Sequence, residues 1–257
     1  MKKTAIFFIA WSSISIASDQ VSSVLNRYKE HLENGTYQGQ DWSIFEVKPK
    51  SRYDTFKYAF EYFEKNNGKI VVELGTTRSF VHGGSPGCNT SNLAYWTPNN
   101  PENWDWGAGF FTRVAAESLV HLHPTIHTID IDFTHIYRSA IITYDFRKMI
   151  QYHICSSFDF LKQVQPQSID LLYLDTGNMT PIEETARMQL AEARIIVERN
   201  VLSPNGIILI DDVRNQTPRT FGDTSGLGKA KYSIHYFLAN GYEILMDEYQ
   251  VILRRKK

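Results

Sequence analysis

The chain has 257 residues, 42% of them hydrophobic and 21% charged, with a formal net charge of -1. So apolar a chain with so little net charge is not disordered, and 27 Lys+Arg against 28 Asp+Glu leaves no basic field for nucleic acid. Two cysteines cannot build a disulfide scaffold, and no apolar run reaches the roughly 20 residues that cross a bilayer.

In chain order, Lys2 and Lys3 give a basic start, Thr4 to Ile16 carry no charge, and Ser15 and Ala17 are small where a signal peptidase reads. That order predicts a secretory signal peptide over 1–17 and an exported protein. The alternative is an N-terminal helix of a cytoplasmic one. Sequons at Asn34, Asn89, Asn178 and Asn215 matter only if the chain is exported through a glycosylating pathway. Cys88 and Cys155 admit a bridge, while Cys155 alone also reads as a small core residue.

Residues 18–68 form a helical lead-in. Tyr53, Phe56, Phe60 and Phe63 recur at spacings of three and four, which makes one apolar helix face, and Asn66-Asn67-Gly68 stops it. From residue 69 onward short apolar runs alternate with helical stretches. The runs are 69–74, 125–131, 151–155, 169–174 and 206–211, nearly continuous in Ile, Leu and Val, as strands covered on both faces require. Ala186, Leu190, Ala193, Val197 and Val201 mark a crossover helix over 182–201. After a further helix at 228–240, the runs Tyr242–Met246 and Tyr249–Leu253 are joined too tightly for a crossover and must pair antiparallel. The expected architecture is α/β: a doubly wound, mostly parallel seven-stranded sheet over 69–257, closed by a C-terminal antiparallel hairpin.

One segment resists this pattern. Residues 80–107 hold Gly83, Gly84, Pro86, Gly87, Pro98 and Pro101, together with Trp96, Trp104 and Trp106. This insertion reads either as a lid beside the ligand end of the sheet or as a loop pinned to the body by its tryptophans.

In an open α/β sheet the ligand sits at the carboxyl ends of the strands. The first strand ends in Glu73, Leu74 and Gly75, the second in Asp130 to Asp132, the fourth in Asp175 and the fifth in Asp211-Asp212. Ser156, Ser157 and Asp159 follow the third. Gly75 permits a tight turn, and an acid such as Asp130 can accept both hydroxyls of a ribose.

This ordered set resembles the class I S-adenosylmethionine-dependent methyltransferases, over about residues 69–255. The resemblance implies S-adenosyl-L-methionine as cofactor. It sets Glu73 and Gly75 at the methionine part, Asp130 at the ribose, Ile131 against the adenine and Ser157 near its edge. Thr77 and Ser79 depart from the family's later glycines, and Asp130 follows Gly75 by 55 positions, against the about 20 of the dinucleotide-binding fingerprint. A narrower resemblance, to catechol O-methyltransferase-like enzymes, implies that Asp175, Asp211 and Asp212 bind Mg²⁺ or another divalent cation. Hard oxygen ligands suit such ions. Asn178 stands where that branch carries its catalytic lysine. The same aspartates would equally serve as loop caps.

His121, His123 and His127 are a weaker metal set, opposite the ligand end. No Gly-x-Ser-x-Gly elbow and no phosphate-binding Gly-Lys-Ser/Thr loop occurs. The expected activity is methyl transfer to a small-molecule acceptor at oxygen, with Asp175 placing or deprotonating the acceptor. The alternative is a non-catalytic binding protein on the same fold. Neither nucleic acid nor a membrane span is expected.

Overall fold

Strands whose side chains are apolar on both sides must be covered on both faces, and the chain meets that demand with helices above and below one sheet. A computed structural model describes residues 20–34, 51–79, 101, 104–106, 110–178, 181–213 and 226–257. The expected signal segment, Asn89, Cys88, Trp96, Asn215 and most of the 80–107 insertion lie outside them.

The strands are β1 (Ile70–Leu74), β2 (Thr125–Asp130), β3 (Ile150–Ile154), β4 (Ile169–Leu174), β5 (Leu202–Ile210), β6 (Tyr242–Asp247) and β7 (Val251–Arg255). They form one seven-stranded sheet in the order β3-β2-β1-β4-β5-β7-β6. The first five run parallel, β7 lies antiparallel to β5, and β6 pairs antiparallel with β7. The expected topology is therefore the observed one. Several boundaries differ. The β5 strand begins at Leu202, and regular pairing with β4 resumes at Leu171↔Ile207 after a bulge that takes up Pro204 and Gly206. Arg254 and Arg255 belong to β7, where Arg254 pairs with Glu243 at 2.7 Å.

Helices α1 (Lys29–Asn34), α2 (Tyr53–Lys65), α3 (Phe111–Ser118), α4 (Phe133–Ile142), α5 (Ser157–Gln163), α6 (Ile182–Glu198) and α7 (Ser233–Ala239) cover the sheet, with a further helical stretch over 20–27 and short 3-10 turns at Val120–Leu122, Tyr144–Phe146 and Gly228–Ala230. Alternation along β4 shows how the layers form. Leu171 and Tyr173 enter one core with α2 and α3, while Leu172 and Leu174 enter the other with α6 and α7. The aromatic face predicted for 53–63 buries Phe56, Phe60 and Phe63 in the first core. There Phe111 stacks on Tyr173 with ring centroids 4.1 Å apart.

The two described tryptophans of the insertion settle their own role. Trp104 and Trp106 are buried, and they pack on Tyr28, on Phe110 and on His31, with the His31 and Trp106 rings stacked at 5.0 Å. They pin the end of the insertion to the helical lead-in, while Asp105 between them accepts from the Ser79 hydroxyl in the loop after β1. Removing the 1% exposed Trp104 side chain leaves a large cavity. Trp104→Ala is expected to cost about 3–5 kcal/mol of stability in a chemical denaturation series.

Candidate functional site

Strand order reverses beside β1, which is followed in the chain by β2 on one side of it and flanked by β4 on the other. A crevice must open there, outside the carboxyl ends of the strands. It is an open cleft of about 290 Å³, lined by Gly75, Thr76 and Arg78 after β1, by Asp130, Ile131, Asp132 and His135 around the end of β2, and by Asp175, Gly177 and Asn178 after β4. Asp211, Asp212 and Lys229 close its far end.

Gly75 is required by geometry. Its φ is +85°, and a Cβ there would lie 2.6 Å from the Asp175 carbonyl oxygen. The ends of β1 and β4 can abut only without a side chain at this position. Asp130 is held as a rim carboxylate: it accepts from the backbone N–H of Asp132 at 2.9 Å and of Thr76 at 3.2 Å, and His135 Nδ1 lies 3.2 Å away. A carboxylate offers about four acceptor positions, so capacity remains for a ligand hydroxyl. Ile131 is 75% exposed beside it, an apolar side chain left open at the cleft edge.

Two residues named from the sequence do not line the cleft. The Glu73 side chain points into the layer beneath, where its carboxyl accepts from the Thr112 hydroxyl at 2.5 Å and the Thr128 hydroxyl at 2.6 Å. The reason is strand alternation: Glu73 shares a face with Val71 and pairs in register with Tyr173, so it faces the α2–α3 layer. The Ser157 hydroxyl donates to Glu192 at 2.5 Å, and Thr176 donates to the other oxygen of Glu192 at 2.8 Å. Its neighbour Ser156 caps α5 by accepting from the Asp159 N–H. These serines are spent on helix start and core polarity.

The three aspartates do converge. Asp175, Asp211 and Asp212 offer oxygens within 4.8 Å of one another. No sequence motif marks the cations that stand among them. Lys229 places its Nζ 2.6 Å from Asp175 Oδ1 and 2.9 Å from Asp212 Oδ2. Arg52 forks Asp211, with Nε to Oδ1 at 3.0 Å and Nη2 to Oδ2 at 2.7 Å. Gln250 donates to Asp211 Oδ1 at 2.7 Å, and the Tyr249 hydroxyl donates to Asp212. Burial raises the Asp175 pKa above the carboxylate range, against the pull of Lys229. For Lys229 burial would favour loss of the proton, but the carboxylates of Asp175, Asp212 and Asp211 overrule it and hold the ammonium protonated.

Local backbone explains why Lys229 reaches this point. Gly228 has φ +54°, and a Cβ there would meet the Asp212 carbonyl oxygen at 2.0 Å, so only glycine lets the 228–230 turn lie against the end of β5. Asp212 itself adopts φ 53°, a left-handed conformation that Asp and Asn tolerate better than most residues. The histidines expected as a weaker cluster stay apart: His121 bonds Glu64 at 2.7 Å, while His127 bonds His153 at 2.9 Å.

As arranged, this set does not fit a divalent ion. Each carboxylate already has a cationic partner, and the position between Asp175 and Asp212 is taken by an ammonium. The strand-end residues do fit S-adenosylmethionine. The cleft combines a carboxylate at the β2 end, an open apolar side chain beside it and an acidic far end for a sulfonium cation.

Beneath the cleft, burial pushes Glu73 and Glu192 up to about 7 each, with their hydroxyl donors pulling the other way. A raised folded-state pKa gives stability that is complete below the unfolded value and lost as pH rises through the folded one. Wild-type stability is therefore expected to fall between about pH 5 and about pH 8, and Glu73→Gln to reduce that fall, in denaturant melts across the range.

Residues 106–213 match a family described as a methyltransferase domain. A methyltransferase from Podospora anserina, PaMTH1, solved with S-adenosylhomocysteine bound, is similar over 100% of both chains at 12% identity and a TM-score of 0.53. A protein from Staphylococcus aureus described as a caffeoyl-CoA O-methyltransferase is similar over 95% of this chain and 96% of its own, at 14% identity and a TM-score of 0.50. No curated protein matches in sequence. The strand order and the switch-point cleft agree with the methyltransferase domain that residues 106–213 match.

Proposed function

We propose that the protein transfers a methyl group to an oxygen of a small-molecule acceptor, and that the acceptor sits at the Asp175 end of the cleft. One observation carries this reading. The Gly75–Asp175 contact brings the Gly75 turn and a partly buried carboxylate–ammonium pair side by side in one cleft. The cleft is small and lined mostly by polar and charged side chains, which suits a small polar molecule. The Staphylococcus aureus neighbour, described as an O-methyltransferase, agrees with an oxygen acceptor.

S-adenosylmethionine, when bound, supplies an electrophilic methyl on a sulfonium. Toward it the chain's residues have three tasks. In this reading Asp130 binds the ribose hydroxyls, Ile131 packs against the adenine, and the Gly75 turn admits the methionine part. Asp175 orients the acceptor hydroxyl and takes its proton. The bound cofactor would supply its methyl to the acceptor oxygen, with the C–S bonding pair left on sulfur. Such a displacement gains chiefly from alignment and exclusion of water. The raised pKa of Asp175 makes it a stronger base than an exposed carboxylate. Glu73 and Ser157 act indirectly, by holding the β1 end and the start of α5.

Two measurements test this. Calorimetry is expected to show S-adenosylhomocysteine binding to the wild type, weakened about 10- to 100-fold by Asp130→Ala, the loss of charged hydrogen bonds to hydroxyls. A wild type that binds neither S-adenosylmethionine nor S-adenosylhomocysteine defeats the reading. Asp175→Asn is expected to slow transfer of labelled methyl to a panel of phenols and catechols by about 10²- to 10⁴-fold, with S-adenosylhomocysteine affinity retained.

A further inference from the structure

The acidic end of the cleft already contains a cation of the chain's own. The Lys229 side chain is 2% exposed, and it bridges two strands by pairing with Asp175 after β4 and Asp212 after β5. Arg52, from the turn that opens α2, neutralises Asp211 on the other side. Three carboxylates and two fixed cations leave a local charge of -1. A divalent ion added to that set would invert the charge and would sit against an ammonium. With the ammonium removed, the same ion would bring the set to neutrality. Electrostatics therefore sets Lys229 and a divalent ion in competition for one position.

The backbone is built for the lysine. Gly228 is the residue that lets its turn touch the Asp212 carbonyl, and that contact delivers the side chain under the cleft. An ammonium has three donors, and Asp175 and Asp212 account for two. The third is available to an acceptor oxygen approaching Asp175.

We propose that Lys229 takes the place of a divalent metal in this site, so that the acceptor oxygen meets the Lys229 ammonium instead of a metal ion. The proposal rests on the methyl-transfer reading and deepens it. Its consequence is an enzyme whose three clustered aspartates do not take up Mg²⁺ or Mn²⁺.

Manganese binding, followed by electron paramagnetic resonance with S-adenosylhomocysteine present, tests it. The wild type is expected to bind no stoichiometric Mn²⁺. Lys229→Met is expected to gain a single Mn²⁺ site at least about tenfold tighter than anything the wild type shows, because the competing charge is gone. One Mn²⁺ bound per wild-type chain overturns the proposal, and so does a folded Lys229→Met with no gain. Circular dichroism checks folding, and Lys229→Gln replaces the methionine variant if that one fails to fold. The wild-type titration decides even if neither variant folds. Calorimetry on the same samples separates the two ideas. Absent S-adenosylhomocysteine binding removes the methyltransferase reading, whereas intact binding with stoichiometric Mn²⁺ removes only the role of Lys229.

Discussion

Three carboxylates gathered in a largely dry place are unstable unless their charge is met, and that constraint organises this molecule. Asp211 is 1% exposed, and it is tolerable there because Arg52 reaches it with a two-pronged hydrogen bond and Gln250 adds a third donor. Asp175 and Asp212 share one ammonium. Breaking any one pair would strand an uncompensated buried charge, which costs far more than the pair itself contributes.

The partners come from distant parts of the chain, so the cluster also ties the fold together. Arg52 belongs to the helical lead-in, Asp175 to the end of β4, Asp211 and Asp212 to the end of β5, Lys229 to the turn before α7, and Tyr249 and Gln250 to the turn before β7. The lead-in is thereby fastened to the site as well as to the core. Its aromatic helix α2 packs on Phe111 and Tyr173, and its first turn supplies the guanidinium at the cleft end. A segment that reads as a preface to the α/β domain is part of the site's framework.

The parallel sheet was legible because burial on both faces leaves a mark in composition: 169–174 and 206–211 are apolar almost without break. The strand-end acids were legible too, since the chain places them directly after those runs. What those acids bond to was not. Glu73 stands where the resemblance implied a cofactor-facing acid, yet alternation along β1 turns its carboxyl to Thr112 and Thr128, one layer below the cleft. Ser157 sits in the expected loop, yet its hydroxyl is taken by Glu192 from a helix that begins 25 positions later. A side chain's partner across the fold is set by register and helix phase, and neither is written in the residue's own neighbourhood.

Lys229 and Arg52 show the same division sharply. In the sequence each is one of 27 basic residues, in a polar stretch that suggests a solvated surface. The only sequence trace was indirect: acids at buried strand ends require cations somewhere. By itself the sequence determined the fold class, the order of the elements, the closing hairpin and the acidic character of the ligand end, because these follow from local periodicity and from which residues terminate a strand. Tertiary structure alone decided which acids face the cleft, which cations meet them, and that an ammonium stands between Asp175 and Asp212. Those outcomes depend on charge pairing between segments that are close only once the chain is folded.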